Sequence, residues 1–240
     1  IRELPVAIYL AVDLVGFGLR LSRPPDHFED LRLFEIVAPP LAGWSTALKS
    51  GLDYSLGVLL ILVTAPVMAV IAIAIKLDGP GPVIFRQARY GYANKVFHIF
   101  KFRTMTESGG TRGHTRQATP GDPRVTRVGR FLRRSSLDEL PQLFNVLRGE
   151  MSIVGPRPHA VDHNEQYAQL ISGYFARHRV KPGITGWAQV NGLRGETGIV
   201  GKMERRVEFD VYYAENWSFL FDLKILLMTL VVCLSGKNAY

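Results

Sequence analysis

Two carboxylates stand side by side at Asp138-Glu139, within the run Asp122 to Arg157 (DPRVTRVGRFLRRSSLDELPQLFNVLRGEMSIVGPR), and Arg127, Arg130, Arg133 and Arg134 lie just upstream. Ser135 or Ser136 is placed to cap a helix that starts there, and Pro141 fits only its first turn. Both carboxylates would then sit at a helix N-terminus, where unpaired N–H groups and the dipole favour anions. An acidic pair beside an arginine cluster suits a site shared by a metal and a phosphate group. One carboxylate can hold Mg²⁺ through oxygen while the other acts as a nucleophile. The same residues also fit a plainer role, because acidic side chains commonly begin helices and arginines often coat a solvated face.

Other constellations carry less. His159 and His163 have the spacing to share a helix face, as zinc ligands do. The intervening Ala-Val-Asp lacks the glutamate of the metalloprotease motif, and no third ligand is evident. Gly16 and Gly18 follow an apolar run as in a dinucleotide-binding turn, but the third glycine is missing. The chain has no G-x-S-x-G elbow and no P-loop. Its single cysteine, Cys233, excludes an intramolecular disulfide and favours a reducing compartment; set in an apolar helix, it reads as inert.

The elements that must position the acidic pair are partly readable. Val6 to Leu14 and Arg32 to Val37 read as buried strands, too few to make a domain alone. With Ile1 in place of an initiator Met and no signal-peptide pattern, residues 1–40 read as the remnant of a preceding α/β (Rossmann-like) domain, and 41–50 as a linker. Tyr54 to Ile75 is uncharged and apolar, and at roughly 22 residues it is long enough to cross a ~30 Å hydrocarbon core. Pro66 near its middle removes a helix hydrogen bond, while Lys49 before it and Lys76, Arg86 and Arg89 after it would all prefer the cytoplasmic side. A helix over 51–78 that enters, bends at Ala65-Pro66 and returns satisfies both constraints; a kinked span is the alternative.

Gly79-Pro80-Gly81-Pro82 ends that helix, and residues 79–240 read as one basic, polar catalytic domain. Within it, Val83–Phe85 and Val96–Phe100 read as strands joined by a turn at Gly91–Asn94, and Thr106–Pro123 as a mobile loop. Leu137–Arg148 reads as a helix closed by Gly149, Asp162–His178 as a second helix and Val207–Asn216 as an amphipathic one. Trp217–Leu234 is apolar but carries Asp222 and Lys224, which favours an interfacial helix with Trp217, Phe219 and Phe221 as depth markers or as ordinary core. The fold class is α+β and mainly helical: a re-entrant membrane helix plus amphipathic interfacial helices around a small domain. A net charge of +8 suits nucleic acid, an anionic membrane or phosphorylated substrates, without choosing among them.

Several motifs in register then point one way. Leu137-Asp138-Glu139-Leu140-Pro141-Gln142-Leu143 resembles the catalytic signature of the bacterial sugar transferases, the monotopic polyprenyl-phosphate phosphoglycosyl transferases. Phe85-Arg86-Gln87, Lys101-Phe102-Arg103-Thr104-Met105, Gly155-Pro156-Arg157-Pro158 and the run Lys181 to Gly192 (KPGITGWAQVNG) agree in order, so that the resemblance covers about residues 45–240. It implies a ping-pong reaction at the cytoplasmic face of the bacterial inner membrane. Asp138 would attack the sugar-bearing phosphorus, and Glu139 would hold Mg²⁺. Lys101, Arg103, Arg133 and Arg157 would bind the phosphates or nucleotide, while Pro156 and Pro158 would shape the nucleoside pocket. Asp210 and Asp222 match recurrent acidic positions without an assigned catalytic role. The family usually bends its helix at Ser-Pro; this chain has Ala65-Pro66, so no serine hydroxyl supports the bend.

The C-terminal Gly236–Tyr240 and the upstream strands resemble the subfamily that transfers glucose 1-phosphate from a UDP-sugar, UDP-glucose, to undecaprenyl phosphate as the first membrane step of exopolysaccharide or capsule synthesis. Galactose 1-phosphate is the alternative. The implied partners are the UDP-sugar, undecaprenyl phosphate and membrane lipids, with no nucleic acid; a homo-oligomer is left open. Two rival classes are a membrane-anchored nucleic-acid binder and a scaffold. The first would interleave basic residues with exposed aromatics, and Arg124–Arg134 offers only Phe131, at a position expected to be buried. Metal-dependent release of a nucleoside monophosphate separates the transferase from both.

Overall fold

The computed structural model describes residues 8–11, 33–37, 40–106, 122–193 and 200–235. The expected glycine turn at Gly16 and Gly18, most of the expected loop at 106–123 and the tail Gly236–Tyr240 lie outside the described residues. The described chain is mostly helical, with three two-stranded sheets and one long apolar helix. The upstream strands β1 (Ile8–Ala11) and β2 (Leu33–Val37) pair antiparallel.

Helix α1 (Trp44–Asp78) has 35 residues, about 52 Å at ~1.5 Å per residue. Among the described residues it is the one helix long and apolar enough to cross a membrane, by length and composition. It begins before the expected residue 51, so most of 41–50 is helix rather than linker. The helix is uninterrupted across Ala65-Pro66, the place of the expected bend. A hydroxyl does serve this stretch: Thr64 Oγ1 donates to the Leu60 carbonyl at 2.6 Å, the back-bonding that often bends helices.

One face of α1 is buried at helical spacing: Lys49, Asp53, Gly57, Met68, Ile71 and Ile75. The opposite face stays apolar and exposed, with Leu62 at 69% and Leu77 at 83%. Lys49 is not a solvated flanking charge. Its Nζ lies 2.6 Å from Asp222 Oδ2 and donates to the Val154 carbonyl at 3.0 Å. Asp53 Oδ1 accepts from Ser152 Oγ (2.8 Å) and from the Ile153 N–H (3.0 Å). The N-terminal end of α1 is therefore pinned to the domain by buried polar bonds. The C-terminal end is pinned by Met68, Ile71 and Ile75, packed with Phe102 and Leu132.

Strands β3 (Ile84–Tyr90) and β4 (Val96–Phe102) form the expected hairpin, antiparallel from Ile84↔Phe102 to Tyr90↔Val96. Helix α2 (Arg127–Ser135) is capped by Thr126 Oγ1, which accepts from the Gly129 N–H at 2.9 Å. Its Leu132 is buried, while Phe131 is 63% exposed. The expectation that Phe131 is buried is corrected: Val128 and Leu132 fill the face that meets α1. Helix α3 (Gln142–Leu147) packs on α1, and Val146 and Leu147 close over Gly57.

The parallel pair β5 (Ser152–Val154) and β6 (Gly183–Thr185) was not expected. Gly155 and Gly183 make it feasible: a Cβ on either would collide with backbone of the partner segment. Helix α4 (Val161–Leu170) stops well short of the expected His178, because Gly173 turns left-handed (φ 72°) and a 3₁₀ segment, Tyr174–Arg179, follows. Helices α5 (Trp187–Val190), α6 (Val200–Glu215) and α7 (Phe219–Ser235) complete the domain. Of the expected depth markers, Phe219 is exposed. Trp217 donates to Asp222, and Phe221 packs on Trp187 and Tyr213.

Candidate active site

Asp138 and Glu139 sit on a 3₁₀ turn, Leu137–Glu139, between α2 and α3. The expected helix over Leu137–Arg148 is thus shorter, and neither serine caps it. Ser135 Oγ bonds back to the Phe131 and Leu132 carbonyls of α2, and the Ser136 side chain makes no capping bond. Ser136 instead adopts φ 58°, a left-handed conformation that costs an L-residue roughly 1–2 kcal/mol. That sharp corner sets the acidic pair against β4. Glu139 is held by cations from distant segments rather than by a helix dipole.

Glu139 is buried. Its Oε1 accepts from Lys101 Nζ at 2.8 Å and Arg157 Nη2 at 2.5 Å, and its Oε2 accepts from Arg157 Nη1 at 3.0 Å. Burial pushes its pKa up, but Arg157 and Lys101 more than reverse this and hold it well below the usual range. Asp138 goes the other way. Burial raises its pKa and the Glu139 charge adds to the rise, against the pull of Lys101, Arg157 and Arg133. Neighbouring carboxylates with pKa values pushed apart are a recurrent mark of divided chemical labour.

Lys101, Arg133 and Arg157 are therefore brought to the acidic pair, as the sequence implied. Among the described residues, the Arg133 guanidinium has one hydrogen-bond contact, Met105 Sδ at 3.9 Å. Arg103 is placed elsewhere. Its guanidinium donates to the carbonyls of Ile75 (3.1 Å), Gly79 (2.7 Å) and Pro80 (2.5 Å), and so caps the C-terminal end of α1. Pro156 and Pro158 flank Arg157 on the loop that leaves β5. Arg89, which reads in sequence as a membrane-flanking charge, lies behind this loop and donates to the Pro158 carbonyl at 3.3 Å. Burial, with Arg157 nearby, pushes its pKa down to about 10. No sequence signal marks it, because strand register and burial decide its place.

The remaining candidates make other contacts. Asp210 pairs with Arg177 at 2.7 Å, and Asp222 accepts from Tyr213 OH at 2.8 Å besides pairing with Lys49. His159 precedes α4 and bonds Tyr174 OH at 2.7 Å, so it shares no helix face with His163. Among the described residues no cluster of three or more His, Cys, Asp or Glu could hold a metal. The acidic pair fits a different pattern. Mg²⁺ is commonly held by one or two carboxylates plus substrate phosphates, and Glu139 accepts three bonds out of about four lone pairs on a carboxylate.

The sequence model described as "Bacterial sugar transferase" matches residues 44–236. The chain is 52% identical over 234 residues to the UDP-glucose:undecaprenyl-phosphate glucose-1-phosphate transferase of Escherichia coli (strain K12), covering 98% of this chain and 50% of that protein. It is 48% identical to the protein of the same name from Klebsiella pneumoniae, covering 95% and 49%. It is 39% identical to the UDP-N-acetylgalactosamine-undecaprenyl-phosphate N-acetylgalactosaminephosphotransferase of Aeromonas hydrophila, covering 89% and 49%. The chain spans about half the length of these relatives.

Proposed function

This chain belongs to the bacterial sugar transferase family, and from that premise we propose that it transfers glucose 1-phosphate from UDP-glucose to undecaprenyl phosphate. The observation that carries the reading is the division of the acidic pair: Glu139 is clamped by Lys101 and Arg157, while Asp138 is left beside them with no direct hydrogen bond or ion pair among the described residues. A carboxylate among cations but bonded to none of them is placed to attack a phosphorus whose oxygens those cations hold.

In the first step an Asp138 carboxylate oxygen attacks the glucose-bearing phosphorus. The bond from that phosphorus to the bridging oxygen breaks, and UMP leaves with the bond's electron pair. The product is a covalent aspartyl phosphoglucose. An oxygen of undecaprenyl phosphate then attacks the same phosphorus and expels the aspartate, giving undecaprenyl-diphosphate-glucose. Lys101, Arg133 and Arg157 offset the charge on the non-bridging oxygens, with Pro156 and Pro158 walling the nucleoside side. Mg²⁺ held through Glu139, when bound, would neutralise the diphosphate and stabilise its leaving oxygen.

The acceptor's lipid requires a membrane site. The apolar outer face of α1 supplies one, and both of its ends dock on the same domain. A helix anchored at both ends to one water-facing body is best accommodated by entering and leaving through a single leaflet. We take that leaflet to be the cytoplasmic side of the inner membrane, with the catalytic domain beside it.

The test is release of UMP from a panel of UDP-sugars, with and without Mg²⁺ and lipid acceptor. UDP-glucose should support turnover, and without acceptor the protein should gain one hexose-phosphate mass on the peptide holding Asp138. Preference for UDP-galactose or UDP-N-acetylgalactosamine would reassign the sugar. No release from any UDP-sugar would sink the reading.

A further inference from the structure

Pro156-Arg157-Pro158 has a single backbone N–H among three residues, so the segment cannot fix its shape through hydrogen bonds it donates. All three of its carbonyls are instead held from outside. The Gly183 N–H donates to Pro156 O at 2.9 Å, Arg177 Nη2 to Arg157 O at 2.6 Å, and Arg89 Nη1 to Pro158 O at 3.3 Å. The middle bond grips the backbone of the residue whose guanidinium clamps Glu139.

Arg177 is 1% exposed, and the nitrogen that reaches Arg157 O also lies 2.7 Å from the buried Asp210 Oδ2. Its Nη1 meets the His159 ring at 2.5 Å and Tyr174 OH at 3.3 Å, and that hydroxyl donates to Asn164 Oδ1 at 2.7 Å. So deep a cation is costly even when paired, its Nε has no hydrogen-bond partner among the described residues, and an aliphatic core would do as well for stability alone. The planar fork lets Nη2 serve the Asp210 carboxylate and the Arg157 carbonyl while Nη1 meets Tyr174 OH and the His159 ring, a set too spread out for one ammonium.

The geometry points to Arg177 as a positioning residue: Asp210 orients it, it fixes the Arg157 carbonyl, and through that one bond it sets where the Arg157 guanidinium stands. The substrate side of this inference rests on the proposed UDP-sugar donor; the loop geometry does not. Arg177 touches neither Glu139 nor the reacting carboxylate, and acts through Arg157.

Two variants of the full membrane-embedded chain test it. Arg177→Lys keeps a charge opposite Asp210 but loses the fork, and Asp210→Asn keeps the fork but loosens its orientation. Deuterium uptake should rise in the peptide spanning residues 151–160 and stay unchanged over α2. In the UMP-release assay, kcat/KM for UDP-glucose should fall about ten- to a hundredfold, as for a small misplacement of a binding group. In an Arg157→Ala background the same substitutions should add little, because the effect runs through Arg157. Equal losses in both backgrounds, or unchanged uptake at 151–160, would overturn the assignment. So would failure of both variants to fold, which would mark the pair as purely stabilising. If the parent chain releases no UMP, the donor reading falls while the exchange measurement still decides the role of Arg177.

Discussion

Asp138 and Glu139 are chain neighbours whose surroundings drive them in opposite directions, and the two should therefore respond oppositely to neutralisation. The native pKa of Asp138 is raised, chiefly by burial. Its charge therefore opposes folding at neutral pH, and stability is gained as the group takes up a proton. Asp138→Asn keeps the shape and removes that charge. It should abolish the phosphoglucose adduct yet raise Tm. Glu139 is held low, so its contribution is full above the ordinary glutamate value of about 4.3 and is lost as pH falls through the depressed native one. Glu139→Gln leaves Lys101 and Arg157 facing a neutral amide, which should cost about 3 kcal/mol, the low end for a broken buried pair because both cations keep some solvent contact. It retains a nucleophile, so some turnover should survive at high Mg²⁺. Calorimetry at neutral pH reads both effects, and a fall in Tm for Asp138→Asn would contradict the first. The pair itself is legible in sequence because two acids beside four arginines are a local pattern. Its clamp is not, since Lys101 and Arg157 arrive from 38 and 18 residues away.

At the scale of elements, β4 joins the membrane helix to the acidic pair: Lys101 reaches Glu139, and two residues on Arg103 caps α1. If capping is the role of Arg103, then Arg103→Met should lower stability by about 1–3 kcal/mol through three orphaned carbonyls and leave the KM for UDP-glucose within about twofold, the mark of a group outside the donor site. A rise in KM at unchanged Tm would return Arg103 to the donor site. The course of α1 has its own check. In a Cys233→Ser background, Thr46→Cys and Lys76→Cys, both at exposed positions, should be equally shielded from an impermeant thiol reagent added to intact cells. Labelling of only one would mean a span. Elements with local signals were legible: the long apolar run, the β3–β4 hairpin, α6 and α7. Elements made by distant partners were not. The three-residue strands β5 and β6 exist because glycines let two backbones touch, and the expected helix through Gly173 breaks where a left-handed turn feeds Tyr174 and Arg177 into the core.

For the molecule as a whole, the long motifs carried the family, whereas the strand pair before α1 said little beyond an antiparallel contact. Burial was the least legible property: Lys49 reads as a flanking charge, and Asp210 and Asp222 as acidic positions without an assigned role, yet all three are almost wholly enclosed. The Lys49–Asp222 pair makes the strongest prediction at this scale. Asp222→Ala should destabilise by about 3 kcal/mol, the low end for a broken buried pair because Asp53 stays 3.6 Å from Lys49 Nζ, and Lys49→Met combined with Asp222→Leu should recover only part of it, since Asp53, Tyr213 and Trp217 each lose a partner; denaturant titration in detergent measures both. The pair also spans 173 residues of chain, which orders the protein's birth. A ribosome delivers Lys49 and the greasy helix 173 residues before Asp222, and meanwhile Lys49 has Asp53, one turn along the same helix, as its near counter-ion. That end of the helix can be seated in the domain only when α7 emerges. A message truncated just before Asp222 should thus yield a product bound to membranes, unable to lock and rapidly degraded.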